Sequence, residues 1–243
     1  MSPQEASQFG IASVDRHGGI EEFIEKPQSM AELPTGHRVL ASMGIYVFET
    51  AFLDAVLRRD AFSTCSRHDF GADILPALIS SARTYAYRFT GRDSGRDAYW
   101  RDVGTPAAYW RAHLELLDGS ASLRLNDPDW PLPVAGRAPR FTAQQPRSLI
   151  ADGCDISGTV HRSVLFSDVQ VAPGASIESS VVLPGAAVGR NCRLNGVVVD
   201  SHCRIPDGVV IDARRQFGGG GNPQEPVVVT PEDFVPDLAR SIA

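Results

Sequence analysis

The sequence predicts an alternating α/β segment followed, after a proline-rich stretch, by a triangular parallel β-helix. Three observations carry this. Strand-like and helix-like patterns alternate as far as residue 117. Prolines at 128, 131, 133, 139 and 146 break any periodicity over 126–146. Beyond them, apolar residues recur with a period of 17.

Residues 9–14 and 20–24 read as paired strands around Arg16-His17-Gly18-Gly19, where glycine permits the positive φ of a tight hairpin. An extended stretch follows at 43–48. Thr50 is placed to cap a helix whose Phe52, Leu53, Val56 and Leu57 share one face, and a second helix is expected over 74–79. Residues 85–89 alternate like a half-buried strand, and the polar run 91–97 reads as a loop. Thr105-Pro106, an N-cap residue before proline at the first helical position, opens a helix through Leu117.

In the repeat, Cys154, Val171, Val188 and Ile205 form one register, Val160, Ile177, Leu194 and Ile211 a second, and Leu165, Val182 and Val199 a third. Steps of 6, 5 and 6 residues put one apolar side chain on each of three faces per turn, filling the axis of a triangular coil. At 43% apolar content, eleven filled slots arise by chance about once in ten thousand phasings. A sandwich of short strands would instead place turns every 8 to 12 residues, roughly, with no fixed triple period. Gly174, Gly189 and Gly208, with Pro173, Pro184 and Pro206, lie between slots, where corners need special φ. The glycines at 218–221 read as a flexible loop, followed by neither a lysine nor a capped helix, and 227–229 offers a last strand.

A length of 243 residues suits one large domain or two ordinary ones. No apolar run is long enough for a membrane span, and residues 1–10 lack an export signal. The four cysteines form no C-x-x-C pair and the six histidines stand singly, which argues against a zinc site or a disulfide framework and fits reduced thiols in the cytoplasm. A net charge of −6 gives no long-range attraction for nucleic acid or an anionic membrane.

Three segments set polar groups at strand ends or turns: Glu25-Lys26-Pro27, Ser42-Met43-Gly44, and Tyr99-Trp100-Arg101-Asp102-Val103-Gly104-Thr105. Together they hold what a sugar phosphate needs: a cation, carboxylates and hydroxyls, and an aromatic wall. Taken singly, each has an ordinary reading. Lys26 also suits a surface, Ser42 a turn, Trp100 a core and Asp102 a local cap, while His68 and Asp69 suit the start of the next helix.

The succession Phe9-Gly10, Val14-Asp15, Glu25-Lys26-Pro27, then Ala41-Ser42-Met43-Gly44-Ile45-Tyr46-Val47-Phe48, His68-Asp69-Phe70-Gly71 and Tyr99 to Thr105 resembles, in order, the second half of the catalytic domain of bacterial glucose-1-phosphate adenylyltransferases. Ser163-Val164-Leu165-Phe166, Val181-Val182-Leu183-Pro184, Cys203-Arg204-Ile205-Pro206 and Asp212-Ala213-Arg214-Arg215 resemble the family's left-handed β-helix and tail. The resemblance implies a partial nucleotidyltransferase (Rossmann-like) domain at 1–125, a linker at 126–147 and the left-handed β-helix with its tail at 148–243. It implies that Lys26 contacts the glucose phosphate, that Glu25 and Ser42 hold sugar hydroxyls, and that Asp69 and Trp100 help form the pocket. Asp102 would be one of two aspartates holding Mg²⁺. In the reaction so implied, the sugar phosphate attacks the α-phosphorus of ATP and pyrophosphate leaves, giving ADP-glucose for glycogen synthesis.

The family's glycine-rich nucleotide loop and first metal aspartate have no counterpart in this sequence, so the chain alone is expected to be inactive. Val199-Asp200 is followed by Ser201 and His202 where effector-responsive members carry arginine, which leaves the effector open, with Arg214 and Arg215 as candidates for an anion site. The resemblance further implies a homotetramer or association with a full-length subunit. Two other readings are a non-catalytic assembly subunit and a β-helix acyltransferase. For the latter, His161 and His202 are the only coil histidines.

Overall fold

The structure, a computed structural model, describes residues 6–34, 38–91, 95, 97–119, 125, 147–216 and 225–234. The chain divides into two compact units, Met1–Trp100 and Arg101–Ala243. The expected linker at 126–146 and the glycine run at 218–221 lie outside the described residues.

The first unit is built on strand β1 (Gly10–Val14), flanked antiparallel by β2 (Ile20–Glu25) and β3 (Arg38–Ala41). Asp15 closes the β1–β2 hairpin by accepting the His17 and Gly19 amides at 2.7 and 2.9 Å, and Gly18 takes the positive φ the turn requires. Those amides hold the Asp15 carboxyl below its usual range. Ala12 and Phe23 pack with Leu75 in a small core. Helix α1 (Thr50–Ala61) is capped by Glu49 instead of Thr50, because the longer carboxylate reaches the Ala51 and Phe52 amides. None of its residues is buried. A π-helical turn, Phe70–Ile74, capped by Asp69, runs into the short helix α2 (Leu75–Ile79).

Among the described residues the extended stretch at 43–48 joins no sheet, and the strand expected at 85–89 does not form a ladder. Residues 43–48 lie beyond the end of β3 and pair with no strand among the described residues. Residues 85–89 make a single bridge, Tyr85 to Gly19, and their aromatic rings are exposed, since the hairpin turn offers too short an edge for a ladder.

The second unit opens with helix α3 (Pro106–Leu117), capped by the Thr105 hydroxyl on the Ala108 amide at 3.1 Å. Trp110 and Leu114 pack on Val181 and Val198, and the Trp110 indole donates to the Ser179 carbonyl at 2.7 Å. Beyond it stands the β-helix, three parallel sheets of five, four and four short strands. Successive coils pair at an offset of 17, as in Val182 to Val199 and Leu194 to Ile211, and Val227–Val229 adds the fifth strand of one sheet.

The first coil is shorter by two residues, with Ile150 opposite Leu165 and Ile156 opposite Val171. Ile156 therefore fills the slot assigned from spacing to Cys154, and Cys154 moves to a corner stack with Val169, Ala186 and Cys203. A second corner stack holds Ala175, Cys192 and Val209. Each full coil thus turns five side chains to the axis, Val209 and Ile211 of the last coil being only partly buried, and the corners take small ones because three sheets converge there. Burial raises the thiol pKa of Cys154, Cys192 and Cys203, the signature of packing thiols.

The corners are left-handed in register. Gly153, Asp168, Gly185 and His202 share one ladder, and Gly174, Asn191 and Gly208 a second. Gly189 has no positive φ. It is glycine because a Cβ would lie 2.7 Å from both the Asp207 amide and the Ile205 carbonyl oxygen. At the third corner Arg162, Ser179 and Gly196 are left-handed, and the residues after them form a serine ladder. The Ser163 hydroxyl accepts the Ser180 amide and the Ser180 hydroxyl accepts the Val197 amide, each at 3.0 Å. Each hydroxyl also donates within its own coil, to His161 O and Glu178 O. Ser163 and Ser180 are wholly buried and wholly satisfied.

Candidate functional site

The start of β1 gathers the polar segments of the first unit. Gly10 lies opposite Glu25, the Lys26 amide donates to the Phe9 carbonyl at 3.0 Å, and the Ser42 amide donates to the Gly10 carbonyl at 2.8 Å. Glu25 and Lys26 thus flank Phe9-Gly10 on one side and Ser42 on the other. Trp100 closes on Phe9 edge to face, with ring centroids 5.4 Å apart.

Asp69 reaches the same place from another direction. The Glu25 carboxylate packs against Gly71, two residues beyond Asp69, and the Asp69 charge raises the Glu25 pKa. Desolvation is the largest cause of that rise, and the Lys26 ammonium, 3.8 Å away, opposes it. The Lys26 side chain is 61% exposed and keeps its donors open to an anion. Ser42 accepts the Gly44 amide at 3.2 Å and meets the Tyr46 hydroxyl at 3.3 Å. Tyr46 in turn stacks on Phe70, at 5.7 Å between centroids, which ties the serine loop to the Asp69 turn.

Two non-glycine residues in this neighbourhood are left-handed: Lys26 (φ 48°), beside Glu25, and His68 (φ 61°), beside Asp69. Such strain costs on the order of 1 kcal/mol or more and persists where surrounding contacts fix it. For His68 those contacts are visible. Its ring meets Asp60 at 2.8 Å, and Ser66 bridges Asp60 (2.6 Å) and the His68 amide (3.0 Å). These partners hold the Asp60 carboxyl below its usual range.

Five of the residues read from sequence, Glu25, Lys26, Ser42, Asp69 and Trp100, therefore come from one unit and surround one strand end. Asp69 is also a helix cap, its carboxylate accepting the Ala72 amide at 2.8 Å. Asp102 belongs to the second unit, is exposed, accepts the Gly104 amide at 3.3 Å and forms no ion pair among the described residues. Among the described residues no group of three or more His, Cys, Asp or Glu side chains comes together. One free carboxylate fits a magnesium ion held mainly by water and substrate phosphates, as that ion commonly is.

Arg214 bonds back to Asp212, at 3.5 Å between Nε and Oδ1, and the side chain of Arg215 lies outside the described residues. His161 and His202 stand in different coils, the first in a strand and the second at a corner. Sequence reasoning assigned no role of their own to Gly10, Gly71 and Tyr46 and did not see the Asp60-Ser66-His68 network. The available signal was glycine inside otherwise regular elements, which marks a close approach.

The nucleotidyl transferase family profile matches residues 1–119, and a GlmU-like C-terminal hexapeptide profile matches 136–217, the repeat that builds the left-handed β-helix. The second unit begins at Arg101, ahead of the end of the first match. Curated relatives named glucose-1-phosphate adenylyltransferase share 45% identity over 224 residues in Dechloromonas aromatica and 45% over 225 residues in Methylobacillus flagellatus. One from Methylococcus capsulatus shares 39% over 251 residues. These alignments cover 85%, 86% and 94% of this chain, and 50%, 52% and 57% of the relatives. The chain spans about half the length of the curated relatives it matches. No helix among the described residues is long and apolar enough to cross a membrane. With a nucleotidyl transferase segment, a hexapeptide β-helix and close relatives of one name along both, the chain belongs to the glucose-1-phosphate adenylyltransferase family of nucleotidyl transferases.

Proposed function

We propose that the chain is the sugar-binding and β-helical part of an enzyme that makes ADP-glucose and pyrophosphate from ATP and glucose 1-phosphate, at the entry to glycogen synthesis in the cytoplasm. What supports this most is the gathering of Glu25, Lys26, Ser42, Asp69 and Trp100 at the start of β1. Lys26 takes the phosphate, Glu25 and Ser42 take ring hydroxyls, Asp69 bounds the pocket and Trp100 supplies an apolar wall. In this reading residues 1–125 are catalytic-domain sequence, 126–147 a linker and 148–243 the β-helix with its tail.

Asp102 is the candidate Mg²⁺ ligand, and the ion when bound neutralises charge on phosphoryl oxygens. The chain's own groups position the sugar phosphate and screen its charge. A homotetramer, or pairing with a full-length subunit, agrees with the exposed Ile45, Val47, Tyr85 and Tyr87.

Calorimetric titration of the purified chain with glucose 1-phosphate tests the site. Binding is expected, and Lys26→Ala should abolish most of it. Absence of binding at millimolar ligand, or a Lys26→Ala variant equal to the parent, would sink the reading.

A further inference from the structure

Gly10 stands in strand β1 and Gly71 in the π-helical turn, and neither has a positive φ. Backbone conformation therefore does not call for glycine at either position, and in regular elements glycine is less stable than alanine. What the two positions share is Glu25. A Cβ on Gly10 would press first on Phe23 Cζ and lie 2.7 Å from Glu25 Oε2. A Cβ on Gly71 would press on the same Oε2 and lie 2.7 Å from the carboxylate carbon. The carboxylate occupies a slot walled on two sides by bare Cα atoms.

The slot has a chemical consequence. It withdraws the Glu25 carboxylate from water, and the group accepts no hydrogen bond among the described residues, its nearest cation being Lys26 at 3.8 Å. A partly desolvated carboxylate with open acceptor sites is costly unless a partner brings donors. Hydroxyl groups of a hexose are such donors, and a carboxylate held in one place accepts them with little loss of side-chain freedom.

We propose that Gly10 and Gly71 are positioning residues whose missing side chains fix the Glu25 carboxylate in place to receive the hydroxyls of a bound sugar phosphate. The sugar-facing half of this rests on the function proposed above. The slot itself does not.

A double-mutant cycle on the full chain tests the slot. Gly71→Ala is expected to lower Tm when Glu25 is present, and to be neutral or stabilising beside Glu25→Ala, where the methyl group enters vacated space. An equal change in Tm in both backgrounds overturns the proposal. Should Gly71→Ala alone fail to fold, a folded double variant is the rescue the slot requires, and an unfolded double variant overturns it.

Carboxyl titration by NMR gives an independent readout. Gly71→Ala should return the Glu25 midpoint from its raised position to the ordinary carboxylate range, and an unmoved midpoint counts against the slot. Glucose 1-phosphate affinity should fall about tenfold or more in Gly71→Ala. Wild-type binding that Gly71→Ala leaves intact overturns the positioning role. If the wild-type chain does not bind the sugar phosphate while the Tm coupling is present, the functional reading and the sugar-facing half fail, and the slot stands.

Discussion

The β-helix and the first unit solve the problem of burial in opposite ways. Every full coil sends five side chains to one axis, so its core is a column of stacked Val, Ile, Leu, Ala and Cys. Among its described residues the first unit has a small cluster around Ala12, Phe23 and Leu75, beside the buried Ile11, Val14, Ile74 and Leu78. Its helix α1 buries nothing, and Val47 and Tyr87 are 95% and 89% exposed. A repeat contains its own packing partners, because each coil is covered by the next. An α/β segment depends on whatever covers the faces of its sheet, so its sequence can be strongly patterned while its apolar residues stay in water.

The sharpest way to break this contrast is to truncate one leucine on each side of it. Leu165→Ala in the β-helix axis should cost about 2–5 kcal/mol, and Leu57→Ala on α1 no more than about 0.5 kcal/mol. Urea denaturation of both variants measures this, and equal losses would mean that α1 is packed after all. A smaller effect is expected at the third corner. Ser180→Ala leaves the Val197 amide buried without its acceptor, while the Glu178 carbonyl keeps the Gly196 amide, at a cost of about 1–3 kcal/mol, whereas Ser176→Ala on the outer face should be neutral.

The smallest effect is a pH slope. His113 lies between the rings of Tyr109 and Phe166, and burial lowers its pKa although its ring bonds to the Tyr109 carbonyl. Its folded pKa lies below the unfolded one. The unfolded chain therefore takes up a proton first, and stability falls as pH drops from the ordinary imidazole value toward the depressed one. His113→Phe should flatten that part of the curve, and thermal melts across mildly acidic pH would show it. A slope of the same size in the variant would assign the effect elsewhere.

Legibility in the sequence followed the same division. The 17-residue period placed Val171, Ile177, Val182 and Leu194 correctly, because in a stacked coil the register of one turn dictates that of the next. It misplaced Cys154, since the first coil is two residues shorter and a period cannot announce its own exception. In the first unit the β1–β2 hairpin was readable from Gly18 and Gly19, while the strand expected at 85–89 was not realised for want of a partner edge. The residues gathered at the start of β1 stood out in the sequence only as types, a cation here and carboxylates there. The slot for Glu25 was not, because Gly10 and Gly71 are 61 positions apart and each looks like an ordinary glycine.

The sequence alone determined what is local or periodic: the caps at Asp69 and Thr105, the hairpin turn and the coil repeat. Tertiary structure alone decided which distant residues touch. It brought Glu25, Ser42, Asp69 and Trp100 to one strand end, made corner fillers of Cys154, Cys192 and Cys203, and seated Trp110 on the β-helix. The reason is physical. Propensity and periodicity act over a few residues or one repeat, while convergence depends on strand register and close packing, which no short stretch of chain contains.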